Sequence, residues 1–301
     1  MNSPRWLSLD SLRRGDPNTW IMGLRAWVPP SIKKGIRRAV EPIKYRLMLR
    51  FQPRQNRVYT QFFRFPHQYR ALVERVVPSL LARDPDLGQR GLDVAVFACC
   101  SGEEVYTLKS ELARAFPGLD VRVRGYDIVP EVIEQARVGE YSEVQVRAGP
   151  FVTEEFLVAA FDRDGETFRV KPGLRESTSF DVCDMTSPDF MSSLPKFDLV
   201  YAQNVLFHLP RPVAAEAFKL LVGLMAANSA LFINGMDTDM RVALTKAHGL
   251  DPLDYLVEEI HEDARVDRGA NWANQYWGRE PFSKASSNWL RKFGTIYVTR
   301  A

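Results

Sequence analysis

The spacing of hydrophobic and polar residues changes period along this chain. From Ser31 to Phe51 the apolar residues Ile32, Ile36, Val40, Ile43, Leu47, Met48 and Phe51 recur at three- and four-residue steps. Lys33, Lys34, Arg37, Arg38, Lys44, Arg46 and Arg50 lie between them, which predicts a basic amphipathic helix, kinked or split near Pro42. A second helical stretch runs from Pro66 to Ala82, and beyond it short apolar runs alternate with helical periodicity. Strands are expected over Val94–Ala98, Val121–Tyr126, Phe197–Ala202 and Ala230–Asn234, with helices over Glu103–Phe116, Pro130–Val138 and Val213–Met225 between them. Alternation at this spacing implies a parallel sheet with right-handed crossovers, hence an α/β doubly wound core with helices on both faces. Periodicity weakens between Glu140 and Ser179, where Gly165 and Phe168-Arg-Val suit a small antiparallel insertion, and Thr295-Ile-Tyr-Val-Thr reads as a last strand.

Composition narrows the class. With 46% hydrophobic and 26% charged residues in 301, the chain can build a large core without staples. Cys99, Cys100 and Cys183 form no disulfide framework, the adjacent pair closing only a strained ring, and suit a reducing cytoplasm. His67, His208, His248 and His261 are scattered and no spaced Cys/His cluster occurs, so no metal is expected. Arg13, Arg14 and Arg25 interrupt the N-terminal apolar residues, which argues against a signal peptide or a membrane span. Residues 1–57 hold thirteen Lys/Arg against three Asp/Glu in a chain of net charge +3. That surplus suits an anionic partner, a membrane surface or an acidic protein, and it equally suits a helical cap with a solvated outer face. The expected location is cytoplasmic, peripheral at the inner membrane face if the basic helix docks there.

Candidate chemistry gathers at the strand ends. Phe97-Ala-Cys-Cys-Ser-Gly-Glu-Glu104 follows the first strand and opens a helix, where Gly102 and small side chains let backbone N–H groups approach a ligand. Glu103 and Glu104 at that helix start would repel a pyrophosphate and attract a cation, so S-adenosylmethionine, with its ammonium and sulfonium, fits better than a dinucleotide. The same acids also serve simply to stabilise the helix N-terminus. Asp127, at the second strand's end, stands 25 positions after Gly102, where this architecture puts the acceptor of a ribose diol; a helix cap is its alternative role. Asp184, after Phe180-Asp-Val-Cys, is placed to accept from an adenine amine.

With these motifs in place, the sequence resembles the CheR-type chemoreceptor glutamate O-methyltransferases from Thr60 to about Asp237. Thr60-Gln-Phe-Phe-Arg64, Cys99-Cys-Ser-Gly-Glu-Glu104 with Tyr106, Asp127-Ile-Val-Pro with Ala136, Gly139 and Tyr141, and Phe197-Asp-Leu-Val-Tyr-Ala-Gln-Asn-Val-Leu-Phe-His208 resemble that family's blocks in its order. The resemblance implies a Rossmann-like class I methyltransferase sheet that uses S-adenosylmethionine and releases S-adenosylhomocysteine. It implies that Arg64, Ala98, Cys99, Gly102 and Glu104 line the cofactor together with Asp127, Asp184, Met185 and Asn204. Arg64 and His208 become the catalytic candidates. The implied organisation is a basic helical segment over 1–57 and a methyltransferase domain over 58–301, with a small β-subdomain at 140–179 and a divergent region at 238–301.

Departures from the family bear on the acceptor. Gln203 replaces an arginine, His208 a tyrosine, and Ala98 and Val105 the loop's glycine and proline. A carboxylate acceptor is ionised at neutral pH and needs no base, whereas a hydroxyl benefits from one, and His208 stands where an imidazole could take its proton or merely orient substrate. His261, among Glu258, Glu259, Glu262 and Asp263, is a second candidate base or a residue of a solvated acidic helix. Trp272, Trp277 and Trp289 suit a sugar face or a buried hairpin. The leading expectation is O-methylation of a hydroxyl or carboxylate on a small molecule or glycan, the alternatives being receptor glutamate methylation and a non-catalytic cofactor-binding scaffold. No nucleic acid is expected, because the basic residues lie away from the cofactor motif and no base-flipping loop occurs.

Overall fold

A computed structural model describes residues 60–266 and 282–300. The basic helix expected over 31–51 lies outside them, as do Trp272 and Trp277. The strands are β1 (Leu92–Phe97), β2 (Val121–Asp127), β3 (Glu140–Ser142), β4 (Phe161–Asp164), β5 (Thr167–Val170), β6 (Thr178–Val182), β7 (Phe197–Gln203), β8 (Met225–Asn234), β9 (Leu250–Pro252) and β10 (Ile296–Thr299).

Seven of them form one sheet in the order β6-β2-β1-β7-β8-β10-β9, parallel from β6 to β8, with β10 antiparallel to both of its neighbours. The chain starts in the middle, winds outward through β2 and β6, and returns to the other side through β7 and β8. Loops after β1 and β7 therefore diverge, opening a crevice at the sheet's carboxyl edge where such folds bind ligands. This is the Rossmann-like class I methyltransferase arrangement. The remaining strands form an antiparallel sheet in the order β3-β5-β4, inserted between β2 and β6.

β1 shows why the run Leu-Asp-Val-Ala-Val-Phe becomes a central strand. Val94 and Val96 enter a core with Leu72, Val76 and Leu108, while Ala95 and Phe97 enter the opposite core with Phe197 and Phe218. Successive side chains point to opposite faces, so a strand covered on both sides is apolar along its buried length, here from Val94 to Phe97. Helix Glu103–Ala115 serves the first core and helix Arg211–Gly223 the second.

Several boundaries differ from the sequence expectation. The stretch Pro66–Ala82 is helix Pro66–Ala71, a π-helical turn Leu72–Val76 and helix Val77–Arg83. Pro78 has no N–H for the carbonyl of Glu74, and widening to Val77 N–H to Leu72 O carries the chain past it. The helix expected to reach Met225 ends at Gly223, and β8 begins at Met225 with a register irregularity opposite Phe197 and Leu199. No helix among the described residues is long and apolar enough to cross a membrane.

Candidate active site

The loop after β1 is wound tightly. Ala98, Cys100 and Gly102 all have positive φ, at 56°, 53° and 92°. For the two non-glycines this conformation costs about 1 kcal/mol each and persists only if the surroundings impose it. They do: Cys99 N–H donates to Tyr126 O (3.0 Å), Cys100 N–H to Asp127 Oδ2 (2.9 Å), and Tyr141 Oη to Ser101 O (2.6 Å). Gly102 precedes helix Glu103–Ala115, and a Cβ there would lie 3.0 Å from Ala136 Cβ and 3.2 Å from the Phe180 ring. Asp127, 6% exposed, fastens two loops at once, because its Oδ1 also accepts from Val129 N–H (3.0 Å). An ionised carboxylate has roughly four acceptor positions, so two remain beyond these bonds.

At the end of β7, buried Asn204 has φ 51° and its N–H donates to Asn234 O (3.0 Å). The following 3₁₀ turn, Leu206–His208, is held by Phe207 N–H to Gly235 O (2.8 Å). His208 is exposed on this turn with its ring 3.9 Å from that of Phe207. Gln203 is not at the surface: its Nε2 donates to Gln68 Oε1 (2.8 Å), and Gln68 Nε2 donates to Thr295 Oγ1 (2.7 Å). These bonds lay helix Pro66–Ala71 across the carboxyl edge of β7 and the start of β10. Beyond β6, Asp184 is exposed and its Oδ1 accepts from Thr186 N–H (2.8 Å) and Thr186 Oγ1 (2.7 Å), while Met185 is buried.

The structure also joins two residues that sequence reasoning did not connect. His67 Nδ1 lies 2.7 Å from Asp263 Oδ1, and His67 N–H donates to Asp263 Oδ2 (3.0 Å). Separated by 196 positions, they carry no spacing signal. The expectation that His261 lies on a solvated face is corrected. Helix Val257–Val266 buries Val257, Ile260, His261 and Asp263, and the His261 ring meets Phe293 edge-on at 5.3 Å. Burial raises all three cysteine thiols, Cys100 to about 11 and Cys183 to about 12, so none is a nucleophile at neutral pH.

The family model for the CheR methyltransferase, SAM binding domain, matches residues 58–245. The chain belongs to this family. It is similar to a chemotaxis protein methyltransferase of Listeria monocytogenes, 28% identical over 179 residues that cover 59% of this chain and 64% of that one. It is also similar to chemotaxis protein methyltransferase 1 of Pseudomonas aeruginosa, 28% identical over 187 residues, 59% of this chain and 65% of that one. The chain thus spans just under two thirds of these relatives' length. A crystal structure of magnesium protoporphyrin IX methyltransferase from Synechocystis PCC 6803 with bound SAM aligns with a TM-score of 0.34 at 19% identity, covering 73% of this chain and 87% of that one.

The CheR-type site fits the chemistry of S-adenosylmethionine. Glu103 and Glu104 are both buried, and burial pushes each carboxyl up to about 7. Ser101 Oγ, donating to both oxygens of Glu103 (2.9 and 2.8 Å), opposes the rise at Glu103, and the charge of Arg64 opposes it at Glu104. A buried acidic pair this short of positive charge suits a cationic ligand. Ile128, 60% exposed, and Val182, paired in register with Asp127 and also exposed, offer apolar surface for a flat ring beside the carboxylate.

These shifts set a pH dependence. Each acid is protonated more in the folded state than in the unfolded chain. Its contribution to stability is therefore complete below the ordinary carboxyl value of 4.5 and is lost as pH rises through about 7. Within that window each group contributes at most about 1.4 kcal/mol per pH unit. Calorimetric scans are expected to give a melting temperature that falls over this window, and a flatter profile for Glu104→Gln. A profile identical to that of the wild type would remove Glu104 as its source.

Proposed function

We propose that this protein is an S-adenosylmethionine-dependent O-methyltransferase. The observation that carries the reading is the loop with left-handed Ala98, Cys100 and Gly102 fastened to Asp127, with buried, cation-poor Glu104 behind it. Asp127 offers its two remaining acceptor positions to the ribose diol, and Glu104 faces the positively charged methionine part. Ile128, Val182 and Met185 flank the adenine, with Asp184 at its edge, and Asn204 closes the site from β7. Bound there, S-adenosylmethionine supplies a methyl group on a sulfonium and leaves as S-adenosylhomocysteine. The chain's own task is to align an acceptor oxygen with that methyl and keep water away, which is what catalysis of a direct displacement requires. Arg64, half-buried ahead of helix Pro66–Ala71, and His208 on its exposed turn stand on the acceptor side.

The acceptor we favour is a hydroxyl on a small molecule or glycan. Helix Pro66–Ala71, which Gln68 ties to Gln203 at the carboxyl end of β7, is fastened by His67 to Asp263 and by Gln68 to Thr295. Both partners lie beyond residue 245, where the family match ends. Gln203, which stands where the family has an arginine and is bound to Gln68, removes a natural cationic partner for an acidic acceptor. A second reading, methylation of a protein carboxylate, is supported by the relatives' names as chemotaxis protein methyltransferases. Transfer of labelled methyl to candidate acceptors, followed by mild base, separates the two. Label retained as an ether supports the first reading, and label released as methanol supports the second.

A further inference from the structure

The His67–Asp263 pair has the arrangement of an oriented base. Asp263 is 3% exposed in its side chain and spends both oxygens on one residue: Oδ1 meets His67 Nδ1 at 2.7 Å and Oδ2 accepts His67 N–H at 3.0 Å. The His67 side chain is 35% exposed, and among the described residues no hydrogen bond engages its Nε2. A carboxylate is a costly device for merely tying two helices together. An asparagine would accept from the same backbone N–H with no charge to bury, and burial of Asp263 is strong enough to raise its carboxyl above the ordinary value. What the carboxylate adds is a fixed Nδ1–H tautomer and a counter-charge for an imidazolium. Among the described residues, Glu259, one helical turn before Asp263, also acts on its carboxylate and disfavours its charge. His67 sits next to Gln68, which anchors helix Pro66–Ala71 to Gln203 at the carboxyl end of β7, and Asp263 reaches it from helix Val257–Val266.

We infer that His67 is the general base of the methyl transfer, with Asp263 as its positioning residue, and that the acceptor is accordingly a hydroxyl. This rests on the O-methyltransferase reading above. The balanced step is a single displacement: the hydroxyl oxygen forms its bond to the methyl carbon as the carbon–sulfur bond breaks, and the electron pair of that bond stays on sulfur. The hydroxyl proton passes to His67 Nε2, which holds it as an imidazolium against Asp263 until water removes it. A carboxylate acceptor has no such proton, so His67 distinguishes the two acceptor classes.

The test uses the full chain, as wild type, His67→Gln and Asp263→Asn, with S-adenosylhomocysteine binding measured for each. Long-range ¹H–¹⁵N spectra of the ligand-free protein are expected to show His67 protonated at Nδ1 and bare at Nε2. In Asp263→Asn the amide oxygen keeps the His67 N–H and the NH₂ turns to Nδ1, so the ring proton is expected to move to Nε2. A wild-type His67 protonated at Nε2 instead, or unmoved by Asp263→Asn, overturns the inference. Two probe acceptors supply the second arm, catechol as a hydroxyl and a synthetic glutamyl peptide as a carboxylate. At pH 7, His67→Gln is expected to slow catechol methylation about 100-fold, with recovery as pH approaches the hydroxyl's own ionisation near 10. Equal catechol rates in the two proteins, or esterification of the peptide alone with no dependence on His67, overturns the base and leaves the methyl-transfer reading standing. Failure of the folded wild type to bind S-adenosylhomocysteine overturns that reading instead. If ligand binds and neither probe reacts, the spectra decide.

Discussion

Replacing Asp127 with alanine is expected to lower the affinity for S-adenosylhomocysteine at least about 100-fold, or about 2.7 kcal/mol. The side chain accepts from Cys100 N–H and Val129 N–H, so truncation strands two backbone donors and frees Cys100 from the interaction that helps impose its positive φ. Charge-assisted hydrogen bonds of this kind contribute about 1.5–3 kcal/mol each, so stability should fall by about 3 kcal/mol as well. Under the proposed function the same change removes the acceptor for the ribose diol. Asp127→Asn is a useful intermediate. It keeps one acceptor, but its amide NH₂ must face one of the two N–H groups, donor against donor. Calorimetric titration with thermal denaturation measures both effects, and an alanine variant that binds within about threefold of wild type would contradict this role for Asp127.

The second large effect is structural. Gly235 has φ 66°, and a Cβ there would sit 2.6 Å from Asn204 Cα and 2.8 Å from Phe207 Cδ1. Both contacts lie in the turn that ends β7, and Gly235 O itself accepts from Phe207 N–H. Gly235→Ala therefore combines left-handed strain of about 1 kcal/mol with an overpacking cost of about 1–3 kcal/mol, since the nearest atom is backbone and cannot rotate away. Urea denaturation should show a loss of about 3 kcal/mol. Because the displaced turn carries Asn204, ligand affinity should fall even under conditions where the variant is fully folded. A loss below about 1 kcal/mol would mean that the β7 and β8 ends are not locked together as described.

The sheet was legible wherever burial on two faces leaves a purely apolar run. β1 and β7 announce themselves this way, β2 does so by the alternation of Val121 and Val123 with Arg122 and Arg124, and their helices show the three-to-four-residue period. β8 was only half visible, because Met225-Ala-Ala-Asn-Ser229 has no alternation and spans the register irregularity against β7. β9, three residues long, carries no pattern at all. At the site, the loop Ala98 to Glu104 and Asp127 stood out because a strand end, small residues and acids coincide in a short window. The directions of side chains did not. Gln203 could be read as facing an acceptor, yet its Nε2 is bound to Gln68 and its Oε1 is buried without a hydrogen-bond partner among the described residues. His261 looked solvated from its acidic neighbours, but the helix turns it toward Phe293. The His67–Asp263 pair depends on tertiary folding alone, since nothing local at either residue marks the other.

The measurement closest to the central claim is calorimetric titration of the full-length wild-type protein with S-adenosylhomocysteine at neutral pH, in two buffers of different ionisation enthalpy. Saturable micromolar binding at one site is predicted. The ammonium of S-adenosylhomocysteine beside the Glu104 carboxyl, which burial has pushed up to about 7, favours the ionised form, so proton release is predicted as well. A folded protein that takes up neither S-adenosylhomocysteine nor S-adenosylmethionine would contradict the account at its root.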